Sequence, residues 1–117
     1  MKKIIFYKTV SEKCPVEEFL DSLSSKQAQK VTWVLGLIEE LPVVPSKFLK
    51  KLTNTDDIWE VRVEYENNIF RLLGFFDGDD LIVLNHAFQK KTQKVAPSEI
   101  RIAEDRKNDY YNRMGKK

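Results

Sequence analysis

The chain has 117 residues, 42% of them hydrophobic, with a net charge of +2, one cysteine and one histidine. That is the size of one ordinary domain able to bury a core, so residues 1–117 are expected to form a single domain. A lone Cys and a lone His exclude an intramolecular disulfide and argue against a structural zinc site, which takes four such ligands.

The N-terminus MKKIIFYKTV has too short an apolar stretch for a signal peptide, and no small-residue cleavage site follows it. Nothing approaches the ~18 apolar residues of a membrane span, and a cytoplasmic protein is expected. Within this stretch Lys3–Tyr7, rich in Ile, Phe and Tyr, reads as a strand. Pro15 suits the first turn of a short helix with Val16, Phe19, Leu20 and Leu23 on one face. Ser24 with Gln27 three residues on has the form of a capping box and opens a second helix. Ala28, Val31, Leu35 and Ile38 give that helix its apolar stripe, and Pro42 and Pro45 end it. Only a couple of residues separate the two helices, which predicts an antiparallel pair.

Phe48–Asp57 reads as an irregular basic loop, after which the period changes to two. In Ile58–Tyr65, Trp59, Val61, Val63 and Tyr65 face one way, and Glu60, Arg62 and Glu64 the other. Asn67-Asn68 supplies a hairpin turn, because Asn tolerates the left-handed backbone. Ile69–Phe76 returns, Asp77-Gly78-Asp79-Asp80 turns again, and Leu81–Phe88 completes a three-stranded antiparallel meander. Pro97 starts a last helix that runs towards Tyr111, with Ile102, Ala103, Arg106 and Tyr110 along one side. Strand, two helices, three strands, helix predicts an α+β fold with its helices grouped on one side of an antiparallel sheet.

Charge is unevenly spread, with bases concentrated at Lys47–Lys51 and Lys90–Lys94. A two-residue Asn67-Asn68 loop would set Arg71 opposite Glu64 and on the face of Arg62. That face reads either as a solvated lattice of ion pairs, common and worth little, or as a phosphate clamp, since the planar guanidinium binds phosphate oxygens bidentately. On the next strand Ile82, Leu84, His86 and Phe88 share one face, and His86–Lys94 sets an imidazole and an aromatic ring before a run of lysines. A lone His is commonly a structural hydrogen-bonder and surface lysines are ordinary. The combination also suits RNA, because aromatic rings stack on bases while lysines neutralise phosphates. Lys47, Lys50 and Lys51 flank Phe48 and Leu49, which are expected to anchor their loop to the core. Other constellations are poor. The four glycines are widely spread, so there is no phosphate-binding glycine loop. Cys14 sits at an acidic helix start, where it is expected to pack rather than to pair with His86. No two carboxylates stand out as an acid–base dyad.

The stretch IWEVRVEYENNIFRLLGFFDGDDLIVLNHAFQKKTQKVAPSEI resembles the phage-derived HigB-like branch of the RelE superfamily of type II toxins. The likeness rests on Trp59-Glu60-Val61-Arg62, on Phe70-Arg71, on His86–Thr92, and on Pro97, Glu99 and Ile100, in that order and spacing. It covers essentially the whole chain. It implies the compact RelE-like fold and a ribosome-dependent endoribonuclease that cuts mRNA without a metal or other cofactor, the ribose 2′-hydroxyl attacking its own phosphate. It also implies a cognate antitoxin, with the free toxin a monomer and the complex a hetero-oligomer. By position, Arg62 and Arg71 bind phosphate and stabilise the transition state, and His86 is the acid–base group, its reference pKa of ~6.5 suiting both roles. Lys50 and Lys51 bind phosphate or assist proton transfer, Phe88 packs or stacks on a base, and Lys90, Lys91 and Lys94 hold RNA. A ParE-like toxin that binds DNA gyrase, or an inactive relative that binds only an antitoxin, would share the fold.

Overall fold

The computed structural model describes residues 1–89 and 94–115. The elements in order are β1 (Lys3–Phe6), α1 (Pro15–Asp21), α2 (Ser25–Glu40), β2 (Leu49–Lys51), β3 (Trp59–Tyr65), β4 (Asn68–Asp77), β5 (Leu81–Gln89) and α3 (Pro97–Arg113). One five-stranded sheet has the order β1-β5-β4-β3-β2. β1 runs parallel to β5, and every other pairing is antiparallel.

The expected α+β class, the two N-terminal helices, the meander and the last helix are all present. The capping box forms as its spacing predicts: Gln27 N donates to Ser24 Oγ at 3.2 Å, and Ser24 N donates to Gln27 Oε1 at 3.0 Å. Part of the expected basic loop is a short edge strand instead. Leu49 is buried, and Leu49–Lys51 pairs with Trp59–Val61, so Lys50 and Lys51 sit on a sheet edge. Charged lysines at such an edge also discourage pairing with another chain.

The helices do not share one side of the sheet. On the first face, Val61, Val63, Phe70, Leu72, Ile82 and Leu84 pack with Val16 of α1 and with Val31, Val34, Leu35 and Ile38 of α2. On the second face, α3 covers two smaller clusters. One joins Ala103 to Ile58, Leu73 and Phe88; the other joins Tyr110 and Tyr111 to Tyr7, Phe75 and Val83. Burying a single Val, Leu, Ile or Phe is worth roughly 1.5–3 kcal/mol, so both faces contribute substantially to stability.

Two register details decide where the polar residues go. Tyr65 pairs with Asn68, so the hairpin loop is Glu66-Asn67, with Glu66 in the left-handed region at φ 55°. Asn68 belongs to the strand, its Oδ1 accepting a hydrogen bond from Gln89 Nε2 at 2.6 Å. Arg71 therefore stands opposite Arg62, and Glu64 opposite Ile69. The second detail is a bulge. Leu73 pairs with His86 but Gly74 pairs with Leu84, which leaves Asn85 as the extra residue of β5. The expected single face of Ile82, Leu84, His86 and Phe88 is thereby split. Ile82 and Leu84 join the core under α1 and α2, while Phe88 joins the cluster under α3 and His86 bonds to α3. The bulged Asn85 is fully buried; its Nδ2 donates to the Ala103 carbonyl at 2.9 Å, and its own carbonyl accepts from Arg106 Nη1 at 2.8 Å.

Candidate nucleic-acid interface

Alternation along β2, β3 and β4 sends Lys50, Glu60 and Arg71 to the face that carries α3. Lys50 pairs with Glu60 across β2 and β3, while Arg71 lies between Arg62 and Phe88. α3 ends its cover short of this corner. The result is a cleft of about 310 Å³ lined by Lys50, Leu52, Thr53, Glu60, Arg71, Lys94, Val95 and Ile100. Its lining carries the cations Lys50, Arg71 and Lys94 against the one carboxylate Glu60. Among the described residues, no group of three or more His, Cys, Asp and Glu side chains converges as a metal site would require.

Arg71 and Glu60 form an ion pair through Nη1 and Oε2, each side chain only 1% exposed. A buried guanidinium without a counter-charge would be very costly, and Glu60 meets that cost. The pair is thus the floor of the cleft, with Lys50 and Lys94 exposed at its sides. A second depression of about 380 Å³ adjoins it, sharing Lys50 and Glu60 and adding Ser46, Lys47, Arg62 and Glu64. Arg62 is partly exposed there and its Nε lies 3.2 Å from Glu64 Oε2. The structure therefore brings together four of the sequence-expected residues, Lys50, Arg62, Arg71 and Lys94.

The others lie elsewhere. Lys51 is directed to the opposite side of the edge strand, paired with Trp59 in the ladder, and its Nζ binds Asp57 Oδ1 at 2.7 Å. The Lys51 ammonium holds the Asp57 carboxyl below its ordinary range. Of the two uses expected for Phe88, packing is the one its position serves, since it is buried with Ile58, Leu73 and Ala103. Lys90 and Lys91 lie outside the described residues.

His86 sits behind the cleft rather than on its lining. Its Nε2 is 2.7 Å from Glu99 Oε1, at the start of α3, and its Nδ1 is 3.4 Å from Arg106 Nη1. A guanidinium can only donate, so Nδ1 accepts and Nε2 carries the proton shared with Glu99. Burial pushes the imidazole pKa down, opposed by the hydrogen bond and charge of Glu99. Both ring nitrogens are engaged within the protein, and the side chain is 13% exposed. Glu99 and Arg106 were not singled out as site residues from the sequence. The available signal was a charged Arg106 inside the apolar stripe of α3.

The architecture is consistent with a RelE-like α+β domain, and no described helix is long and apolar enough to cross a membrane. The chain belongs to the phage derived protein Gp49-like family (DUF891), whose profile matches residues 18–108, from within α1 to within α3. That family is associated with the toxins of toxin–antitoxin systems, which makes an antitoxin the partner it suggests. No curated protein matches the chain.

Proposed function

We propose that this chain is the toxin of a type II toxin–antitoxin pair and that it arrests translation by cutting mRNA on the ribosome. The observation that supports the reading most is the convergence of Lys50, Arg71 and Lys94 on one cleft, with Arg62 in the adjoining depression. RNA cleavage without a metal needs side chains that stabilise charge at the phosphate, and these cations can do so. The 2′-oxygen bonds to the adjacent phosphorus, the bond from phosphorus to the 5′-oxygen breaks, and the phosphorane between them carries extra negative charge. Preorganised cations in a partly water-excluded cleft stabilise that charge far better than they would in bulk water.

Lys50, Lys94 and Arg62 are the groups placed to grip phosphate, and Arg71 supplies fixed positive charge beneath them, oriented by Glu60. The 2′-hydroxyl gives up a proton and the departing 5′-oxygen gains one, which leaves a 2′,3′-cyclic phosphate and a 5′-hydroxyl. Lys50 is the candidate for handling a proton at the cleft. His86, with both nitrogens committed, is assigned to positioning: it ties β5 to the first turn of α3, which carries Ile100 into the cleft wall.

Mapping of mRNA 5′ ends after induction in cells without the neighbouring antitoxin tests the reading. Cuts in frame within translated regions, bearing 5′-hydroxyls, are the expected result. Arrested growth with intact transcripts and a DNA-damage response would overturn it in favour of a gyrase-directed toxin. Unimpeded growth would leave only a binding protein.

A further inference from the structure

The cationic lining does not stop at Lys50. Lys47, Arg62 and Glu64 of the second depression also line a third, of about 310 Å³, which reaches α2 at Lys30 and Trp33. The three hollows thus form one track from the cleft over the β2 edge to α2. Trp33 lies off the buried stripe of α2, formed by Val31, Val34, Leu35 and Ile38, and is 55% exposed. The indole is thus open to solvent and set among cations. Lys30 Nζ stands 4.8 Å from the Trp33 ring centroid, and Lys47 Nζ stands 5.0 Å from that of Phe48. Against Lys30, Lys47 and Arg62 the hollow holds one carboxylate, Glu64, and that carboxylate is already paired with Arg62.

We propose that Trp33, with Lys30, Lys47 and Arg62, forms a second RNA subsite that stacks an unpaired base while the strand continues to the cleft at Lys50. This rests on the reading that the cleft takes RNA. An indole offers every base a π-face, and flanking ammonium and guanidinium groups take the phosphates on either side. The strand must be single, because a duplex keeps its base faces stacked internally. The hollow sets Lys30, Lys47 and Arg62 beside the rings of Trp33 and Phe48 and the side chain of Val34, and three cations on so small a lining suit the phosphates of a strand better than an apolar protein surface.

Fluorescence anisotropy with labelled single-stranded RNA tests the subsite on the full chain. A dinucleotide serves as the probe for the cleft alone, and a dodecanucleotide as the probe for the whole track. Trp33→Ala is expected to weaken the dodecanucleotide about tenfold and leave the dinucleotide unchanged. Trp33→Phe should recover most of the loss, and Lys50→Ala should weaken both probes. Because Trp33 is exposed, its variants keep the parental circular dichroism spectrum and melting temperature. Unchanged dodecanucleotide affinity in Trp33→Ala overturns the subsite, as does loss of antitoxin binding with RNA binding intact. The readout is binding, so the two readings separate. A parent chain that binds through Trp33 yet cuts no mRNA keeps the subsite and loses the nuclease. In-frame cutting with Trp33 silent in binding does the reverse.

Discussion

Gly74 and Val83 meet backbone to backbone across β4 and β5, so closely that a Cβ on Gly74 would stand 2.1 Å from the Val83 carbonyl oxygen. The next nearest atom would be Leu84 Cα, at 2.8 Å. This contact lies at the bulge, where the register shifts between Leu73 and Gly74 and the faces of β5 exchange. Backbone atoms cannot rotate aside as a side chain can, so Gly74→Ala must part the two strands. The expected cost is about 3 kcal/mol, read as a lower urea midpoint. Gly36 is the control of opposite sign. It lies inside α2, and a Cβ added there would meet nothing within 4 Å, so Gly36→Ala should raise stability by roughly 0.5–1 kcal/mol. Equal midpoints for the two variants would refute the assignment of Gly74 to the bulge.

The buried Glu60–Arg71 pair predicts a pattern that a surface ion pair would not show. Glu60→Ala leaves a guanidinium sealed in the sheet without the Glu60 counter-charge, and should cost about 3–5 kcal/mol. That is a large share of a stability of roughly 5–15 kcal/mol. Replacing both residues together, as Glu60→Leu with Arg71→Met, removes the desolvated charges and should recover much of the loss. RNA cleavage should nonetheless be lost in the double variant, because the Arg71 guanidinium no longer lines the cleft. A double variant no more stable than Glu60→Ala would show that the pair is not the source of the cost.

His86 supplies a pH dependence whose sign follows from its burial. Its folded pKa lies below the unfolded value of ~6.5, so the unfolded chain binds the extra proton first. Stability from this group is therefore complete above about pH 6.5 and is lost as pH falls towards the folded pKa. The groups facing the ring are Glu99 and Arg106 of α3 and Phe88 of β5, and none of them replaces the neutral imidazole. Urea midpoints taken between pH 7.5 and 5.5 should fall for the parent chain. They should fall less for His86→Gln, which cannot protonate. Parallel slopes would place the pH dependence elsewhere.

How much of this was legible beforehand depends on how local each determinant is. Ser24 and Gln27 lie three residues apart and declare their helix start within a single turn. Trp59, Val61 and Val63 declare a half-buried strand by alternation alone. β2 did not show, because Leu49–Lys51 is too short for a period to register. The split of β5 did not show either, because its cause is Gly74 on the neighbouring strand, and the alternation of Leu81–Phe88 carries no mark of it. The hairpin misplacement was more lenient. Moving the loop from Asn67-Asn68 to Glu66-Asn67 shifts the register by two residues, so Arg62 and Arg71 kept their shared face while exchanging their neighbours. What alternation could not show was that Glu60 and Arg71, on the face expected to be a polar surface, are almost wholly buried and paired with each other.

Lys50 and Lys51 are adjacent and chemically identical, and the edge strand separates them. Lys50 pairs with Glu60 and lines both the cleft and the neighbouring depression, whereas Lys51 pairs with Trp59 in the ladder and binds Asp57. If phosphate is gripped on the α3 side of the sheet, only one of the two ammonium groups can reach it. Lys50→Ala removes a charge-assisted contact to phosphate, an interaction of about 1.5–3 kcal/mol, and RNA affinity should fall roughly 10- to 100-fold. Its melting temperature should stay near that of the parent, since the side chain is exposed. Lys51→Ala breaks a solvated ion pair and should leave affinity, cleavage and stability close to parental. Raised salt should also weaken RNA binding less steeply in Lys50→Ala, because one fewer phosphate is neutralised. Equal losses in the two variants would mean that the pair acts as diffuse charge and that the cleft does not select between them.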